Sequence, residues 1–147
     1  MQAFEVRREQ FVISTDKRRL NLQIIFDFLA NRSYWARGRP LEIISRSIEN
    51  SLCFGVYHNE NQAGFARVVT DYATFGWICD LFILEPYRKK GLGKWLVQSI
   101  LSHADLKNIR RLLLATQDAD ELYRKYGGFE TLPDTRHWLT RVQKPPA

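Results

Sequence analysis

A basic turn containing two glycines lies between an apolar segment and an amphipathic one, within residues 80–97. Gly91 and Gly93 carry no side chain, so successive backbone amides of the turn can approach an anion closely. A helix that begins here would add unpaired N–H donors and the positive end of its dipole. Positive charge surrounds the turn at Arg88, Lys89, Lys90 and Lys94. These features predict a phosphate site, most naturally for a pyrophosphate.

The segments on either side of the turn have the patterns of a strand and a helix. Residues 77–84 form a short apolar run closed by Pro86, which predicts a strand. After the turn, six positions share one face at helical spacing: Leu92, Trp95, Leu96, Ser99, Ile100 and His103. The alternative, in which the glycines serve only the turn and the lysines are solvated, stays open because Gly-x-Gly alone is a weak signal.

One carboxylate lies inside the apolar strand. The neighbours of Asp80 are hydrophobic, and a carboxylate among them needs a physical reason. It could act as a general base in such surroundings. It could equally be one partner of an ion pair with a basic residue, and the sequence leaves both interpretations open.

The cysteines and histidines do not indicate further chemistry. Cys53 and Cys79 both fall inside predicted strands, where small buried reduced thiols are expected. No histidine lies in an obvious partner position for Cys79, which argues against a thiol nucleophile. The three histidines and two cysteines are scattered, so no metal site is expected.

Two motifs, in this order along the chain, resemble those of the GNAT superfamily of acetyl-CoA-dependent N-acetyltransferases. The first is similar to the family's pyrophosphate-binding motif and reads Arg88-x-x-Gly91-x-Gly93, preceded by Leu81-x-Ile83 and Pro86. The second is similar to a later family motif and reads Ala119-x-x-Leu122-Tyr123-x-Lys125-x-Gly-Gly-Phe129. The turn lacks the Gly-Lys-Ser/Thr sequence of a P-loop. It also lacks the third glycine of a dinucleotide-binding turn, since position 96 is leucine.

The resemblance implies acetyl-CoA as co-substrate, held in a cleft where two neighbouring strands splay apart. The pantetheine arm would hydrogen-bond to the backbone of Leu81, Phe82 and Ile83 as an added strand does. The pyrophosphate would be held by backbone amides of Lys89, Lys90, Gly91, Leu92, Gly93 and Lys94. Arg88 would either position the turn or contact a phosphate.

For the reaction, the resemblance implies direct attack of a neutral amine on the thioester. Tyr123 occupies the position of the family's general acid. The resemblance does not identify the base: Asp80 is the candidate chosen for its apolar surroundings, Asp71 and Glu85 are weaker candidates, and a water relay is a further alternative. Thr116 stands where many members have an asparagine, and we assign it to the cofactor site because its hydroxyl can still hydrogen-bond. The extra glycine of Gly127-Gly128-Phe129 lengthens the exit from this helix, with an expected effect on the acceptor pocket.

Acceptor recognition in the resembled family usually falls to the first two helices and the loop between them. That loop carries Tyr34, Trp35, Arg37 and Arg39. The chosen candidates are Trp35 and Arg37 of this loop and Arg67 on a predicted strand. An arginine here could pair with a carboxylate of the acceptor. The alternative is that Trp35 packs in the core and the arginines are solvated.

Length and composition predict one soluble domain spanning residues 1–147. Hydrophobic residues make up 45% of the chain and aromatic residues 13%, which is ordinary for a folded protein. No apolar run is long enough for a membrane span, and the first residues lack the apolar core of a signal peptide, so we expect a cytoplasmic protein with no membrane partner. The net charge of +6 suits an anionic ligand such as coenzyme A or, alternatively, nucleic acid.

The order of predicted elements indicates an α+β fold, with a mixed, mostly antiparallel central sheet flanked by helices in the order β-α-α-β-β-β-α-β-α-β-β. Residues 1–10 form either a loose arm or a short edge strand, and Asp16 is a candidate cap for the first helix. Strands are predicted at 11–14, 52–57, 62–70, 77–84 and 111–116, helices at 20–30, 41–50, 92–102 and 119–126, and final strands at 129–132 and 137–142.

Three functions are consistent with these observations. The leading one is an acetyl-CoA-dependent N-acetyltransferase that acts on a primary amine of a small molecule or peptide. The second is a non-catalytic acyl-CoA-binding module that keeps the fold. The third, a nucleic-acid-binding domain, is less favoured because aromatic and basic residues do not alternate as in single-strand binders. Dimers are frequent in the resembled family, so a homodimer is one expectation for its assembly.

Overall fold

A mixed β-sheet forms the centre of the computed structural model, which describes residues 2–143. Six strands of this part of the chain lie side by side in chain order: β1 (Glu5–Arg8), β2 (Phe11–Ser14), β3 (Leu52–His58), β4 (Asn61–Thr70), β5 (Phe75–Ile83) and β6 (Arg111–Leu113). Neighbouring strands are antiparallel from β1 to β5, whereas β5 and β6 run parallel.

The α-helices of the described chain are α1 (Leu22–Asn31), α2 (Leu41–Glu49), α3 (Leu92–Ser102) and α4 (Asp120–Gly127). The side chain of Asn21 caps α1 by accepting a hydrogen bond from the backbone N–H of Ile24 at 3.1 Å. Pro40 directly precedes α2, where the fixed φ of proline suits the start of a helix. None of these helices is both long and apolar enough to cross a bilayer.

The helices cover the two faces of the sheet in pairs. On one face, α3 buries Leu96 and Ile100 completely against residues of the sheet that include Val68 and Ile78. Its neighbour α4 lies beside it. On the opposite face, the sheet packs against α1 and α2, where the ring of Phe82 stacks on that of Phe28 with centroids 4.1 Å apart. The predicted inward face of α3 is therefore confirmed.

A β-bulge interrupts the pairing of β4 with β5. The register pairs Phe65 with Phe82 and Arg67 with Cys79. Between these two pairs, β5 therefore has one residue more than β4. Asp80 lies in this bulge with a φ of 56°, in the left-handed region that aspartate tolerates better than most residues. Because a bulge changes which way side chains point, Asp80 faces the side of the sheet that carries α1 and α2.

The predicted α+β class and the order of elements from β2 to α4 are confirmed. At the start of the chain, residues 5–8 form an edge strand, which was one of the two alternatives. Asp16 caps the 3₁₀ turn Lys17–Arg19 rather than α1, since its carboxylate accepts from the N–H of Arg18.

The prediction of two final strands at 129–132 and 137–142 is wrong. After Gly127 the described residues contain no strand, and β6 itself is only three residues long. The apolar side chains that suggested a last strand lie in solvent: Leu139 is 94% exposed and Val142 is 81% exposed. Alternating residue types alone do not make a strand where no partner and no packing surface are available.

Candidate active site

The pairing of β5 with β6 ends early. Its three pairs run from Phe75 with Arg111 to Trp77 with Leu113, and no further β6 pair occurs in the described residues. β5 nevertheless continues to Ile83, so within residues 2–143 the edge of its second half that faces β6 has no neighbouring strand. Such an edge offers a row of N–H and C=O groups, which can bind an extended ligand by strand-like hydrogen bonds.

A cavity of about 610 Å³ lies where the two strands diverge. This volume is within the range of small-molecule sites. The first wall is the middle of β5, residues 77–81, with Arg67 of β4 behind it. The second wall is the segment 115–119 together with Tyr123 of α4. The loop between α1 and α2 closes the third side with Tyr34, Trp35 and Arg39.

Asp80 is the centre of a hydrogen-bonded cluster in this cavity. Its Oδ1 accepts from Nε1 of Trp35 at 2.8 Å. Its Oδ2 accepts from Nη1 of Arg39 at 3.0 Å and from Nε of Arg67 at 2.9 Å. Arg67 is fixed further because its Nη1 donates to Oγ of Ser51 at 3.0 Å. Of the two interpretations of Asp80 from sequence, the ion pair is thus present in the structure.

Tyr123 brings a phenol to the opposite wall of the cavity. Its side chain is buried on α4. Burial is the main cause that raises the pKa of Tyr123 to about 12, and Tyr34 and Asp118 add to the shift in the same direction. The phenol is therefore protonated at neutral pH and carries a proton that it can donate.

Two hydroxyl groups hold the walls of the cavity in place. The Oη of Tyr34 accepts a hydrogen bond from the N–H of Gln117 at 2.8 Å, which links the α1–α2 loop to the segment after β6. The Oγ1 of Thr116 accepts from the N–H of Ala119 at 3.0 Å and thereby stabilises the chain just before α4. Thr116 also lines the cavity.

The basic turn has the backbone geometry that an anion site needs. Lys89 and Gly91 both adopt a positive φ, of 65° and 77° respectively. A Cβ added at Gly91 would meet no atom within 4 Å, so this side of the turn is open. The first amides of α3 follow directly, and they combine unpaired donors with the positive end of the helix dipole.

The charged side chains of the turn differ in what they contact. Nε of Arg88 donates to the carbonyl oxygen of Ile83 at 2.9 Å, which favours a role in positioning the turn. Nζ of Lys94 lies 4.5 Å from the ring centroid of Tyr126 on α4.

The thiols near the cavity are held in the neutral form. Burial raises the pKa of Cys79, which lines the cavity, to about 11. Burial likewise raises the pKa of Cys53 to about 12. Because the thiolate is the reactive form, neither side chain is a good nucleophile at neutral pH.

The model of the acetyltransferase (GNAT) family matches residues 22–129 of this chain. The chain belongs to the GNAT family of acetyltransferases. Members of the family transfer an acyl group, and acetyl-CoA is the family's co-substrate, so the expectations of an acyltransferase and of acetyl-CoA are confirmed.

Relatives of known sequence or structure agree with this membership. A Gibberella zeae protein provisionally described as an acetyltransferase is 28% identical in an alignment that covers 84% of this chain and 81% of that one. A structure from Xanthomonas campestris pv. campestris, described as belonging to the GNAT family, is 39% identical with a TM-score of 0.85 over 92% of this chain and 94% of that one. The histone acetyltransferase TAP1 of Glycine max is 31% identical in an alignment that covers 72% of this chain, but this chain spans only 51% of its length.

The residues present in this GNAT protein fit acetyl-CoA. The free edge of β5 at Leu81, Phe82 and Ile83 suits an extended pantetheine arm. The open space beside Gly91 suits a pyrophosphate. The free edge of β5 leads out of the cavity that holds Tyr123, since Leu81 lines that cavity, and the short 3₁₀ helix Glu85–Tyr87 connects β5 to the turn.

The structure brings most of the sequence-predicted side chains of the reaction and acceptor sites into one cavity: Trp35, Arg67, Asp80, Thr116 and Tyr123. Arg37 is exposed, and among the described residues it does not line this cavity. Tyr34 and Arg39 do line it, although neither is among the residues chosen from the sequence. Both belong to the loop that was singled out, but nothing in the spacing distinguishes Arg39 from Arg37.

Proposed function

We propose that this protein is an N-acetyltransferase that moves the acetyl group of acetyl-CoA to a primary amine of a small molecule or peptide. The observation that carries the proposal is that one cavity joins the free edge of β5 to the buried phenol of Tyr123. A cofactor bound along that edge would have its reactive end in the cavity.

On the cofactor side, the chain contributes mainly backbone. Leu81, Phe82 and Ile83 bind the pantetheine arm through their amides and carbonyls. The amides from Lys89 to Lys94 bind the pyrophosphate, and Arg88 holds the turn against the end of β5. Bound acetyl-CoA supplies the thioester carbonyl and a thiolate leaving group.

Tyr123 acts as the general acid. A thiol has an ordinary pKa of about 8.5, so a departing thiolate leaves more readily when a proton is available. Burial raises the pKa of Tyr123 to about 12, so the phenol stays protonated at neutral pH and can donate a hydrogen bond to the sulfur as negative charge develops there.

Asp80 orients the acceptor site in this proposal rather than removing the proton of the amine. Both of its oxygens accept hydrogen bonds, from Trp35, Arg39 and Arg67. An alkylammonium group has a pKa of about 10.4, so the amine must lose its proton before attack. We propose that water in the open cavity takes this proton.

The test combines binding with turnover. Isothermal titration with acetyl-CoA, free CoA and ATP should show binding of the two CoA species in preference to ATP. Release of the CoA thiol should then depend on an added primary amine. Binding of CoA without turnover on any amine would favour the non-catalytic acyl-CoA-binding module, and no binding of CoA at millimolar concentration would contradict the proposal altogether.

A further inference from the structure

We propose that Arg39 and Arg67, held in place by Asp80, form a binding site for a carboxylate group of the acceptor. The acceptor would then be an amine that also carries a carboxylate, such as an amino acid or a longer amino acid-like compound. This inference rests on the N-acetyltransferase function proposed above and specifies its acceptor class.

The charges of the cluster do not cancel. Two guanidinium groups converge on one carboxylate oxygen of Asp80, at 3.0 Å from Arg39 and 2.9 Å from Arg67. The cluster therefore carries one net positive charge. The Asp80 side chain is only 1% exposed, so the surroundings screen this charge poorly and a monoanion that reaches it would be bound favourably.

The two arginines are also accessible from the cavity. The Arg39 side chain is 25% exposed and that of Arg67 is 13% exposed, and both line the cavity. A guanidinium group has five N–H donors, and within residues 2–143 Arg39 uses one of them, Nη1, in a hydrogen bond. The remaining donors of Arg39 suit a carboxylate, which can accept two parallel hydrogen bonds.

The position of the cluster fits an acceptor rather than the cofactor. The phosphate turn begins α3, which covers one face of the sheet. Asp80, Trp35 and Arg39 lie on the other face, under the α1–α2 loop. An acceptor that enters from this face meets the arginines first and Tyr123 at the far wall.

A negative charge lies at that far wall. Asp118 lines the same cavity and lies close enough to Tyr123 to raise its pKa. The cavity thus offers a positive group at the α1–α2 loop and a negative group beside the general acid. A compound with an ammonium group at one end and a carboxylate at the other matches both.

The first experiment uses matched probes on the wild-type protein. The standard amino acids, β-alanine and γ-aminobutyrate are each compared with their own carboxamides, which keep the amine and lose the negative charge. Binding is measured by titration into protein saturated with free CoA, where no transfer can occur, and transfer is measured separately as CoA thiol release from acetyl-CoA. We expect at least one acid to bind and react about tenfold or more better than its amide.

Variants then locate the effect. Arg39→Gln should raise the Kd and KM for the preferred acid about tenfold, with little change for its amide and none in the affinity for CoA. Arg39→Lys keeps the charge but loses the paired donors, so it should recover part of the preference. Arg37→Gln is the matched control, since Arg37 belongs to the same loop, is exposed and does not line the cavity in the described structure.

The outcomes separate this inference from the proposed function. Equal transfer to acids and amides would overturn the carboxylate site and leave the N-acetyltransferase standing. Binding of acids without transfer to any amine would support the carboxylate site and contradict the N-acetyltransferase. An acid preference that Arg39→Gln and Arg37→Gln reduce equally would overturn the assignment to Arg39, and absence of both binding and transfer would overturn both proposals.

Discussion

The carboxylate of Asp80 can be buried because it accepts hydrogen bonds from three donors in distant parts of the chain. Trp35 is 45 residues away in sequence, Arg39 is 41 residues away and Arg67 is 13 residues away. Removing one partner of a buried ion pair leaves an uncompensated charge, which costs more than the pair itself contributes. At the scale of the residue, Asp80 therefore fixes the positions of Trp35, Arg39 and Arg67 in the wall of the cavity.

Asp80→Asn should separate a positioning role from that of a base. Asparagine tolerates the left-handed φ of this bulge, so the loss is mainly that of the charge between Arg39 and Arg67. We expect the free energy of unfolding to fall by about 3 kcal/mol, and the KM for the acceptor to change more than kcat. Urea unfolding and steady-state kinetics measure both. A large loss of kcat at unchanged stability would instead identify Asp80 as the base.

Tyr123→Phe should lower kcat by about 100-fold, within the usual range for loss of a general acid. The Kd for acetyl-CoA should change little, because only one hydroxyl is removed and the ring stays in place. Tyr126→Phe is the control, since Tyr126 lies on the same helix and its ring also remains for contact with Lys94. Similar activity of the two variants would remove Tyr123 from the mechanism.

At the scale of the element, the turn between β5 and α3 depends on a backbone conformation that only glycine adopts easily. Gly91 has a φ of 77° and ends the turn at the start of α3. The chain contains a second glycine in nearly the same state: Gly38, in the α1–α2 loop, has a φ of 78°, and a Cβ there would also meet no atom within 4 Å. The two positions form a natural pair for comparison.

Gly91→Ala and Gly38→Ala should each lower the free energy of unfolding by about 1–2 kcal/mol, the cost of a side chain at positive φ. Only Gly91→Ala should also weaken acetyl-CoA binding, by about tenfold, because its new methyl group enters the space proposed for the pyrophosphate. Thermal unfolding and titration calorimetry measure the two effects. Equal affinities of the two variants for acetyl-CoA would exclude the turn as the phosphate site.

Elements with a strong repeating pattern could be predicted from the sequence, and elements set by distant partners could not. The inward face of α3 follows from helical spacing, and its predicted residues are buried. The bulge at Asp80 has no local signal, since aspartate seldom adopts a positive φ outside turns. The strand predicted at 137–142, around Trp138, is the opposite case. Its residue types suit a strand, but β6 is too short to pair with it.

The site was predictable where motifs carry it and unpredictable where tertiary contacts do. Tyr123 and the glycine turn belong to contiguous motifs. Arg39 enters the cavity only because the α1–α2 loop folds over β5, so its role depends on contacts across 41 residues. The ion pair of Asp80 could be named as an alternative, but its partners could not.

At the scale of the whole molecule, buried titratable groups make stability depend on alkaline pH. Burial raises the pKa of Cys53 from 9.0 to about 12 and that of Tyr123 from 10.0 to about 12. The unfolded chain loses these protons first as the pH rises. The resulting stability is therefore fully present below about pH 9 and is lost as the pH approaches 12.

Between about pH 9 and pH 12, the Cys53 thiol is ionised in the unfolded chain but not in the folded one. This difference alone should lower the free energy of unfolding by about 1.4 kcal/mol per pH unit. Urea unfolding at several pH values measures this slope. Cys53→Ala should reduce the slope, whereas Val56→Ala, on the same strand and equally buried, should destabilise the protein without changing it. A slope that Cys53→Ala leaves intact would assign the effect to other groups.

If acetyl-CoA binds along the free edge of β5 as proposed, the early end of the β5–β6 ladder would link the amount of folded protein to the supply of acetyl-CoA. A ligand that binds only the folded chain stabilises it, by about 2.7 kcal/mol at a concentration of 100 times its Kd. The amides of Ile78 to Ile83 that face β6 would then exchange their hydrogens more slowly when acetyl-CoA is plentiful. When acetyl-CoA is scarce, a larger share of the molecules would open and become accessible to proteases, so the cell would keep more of this protein when it has acetyl groups to transfer.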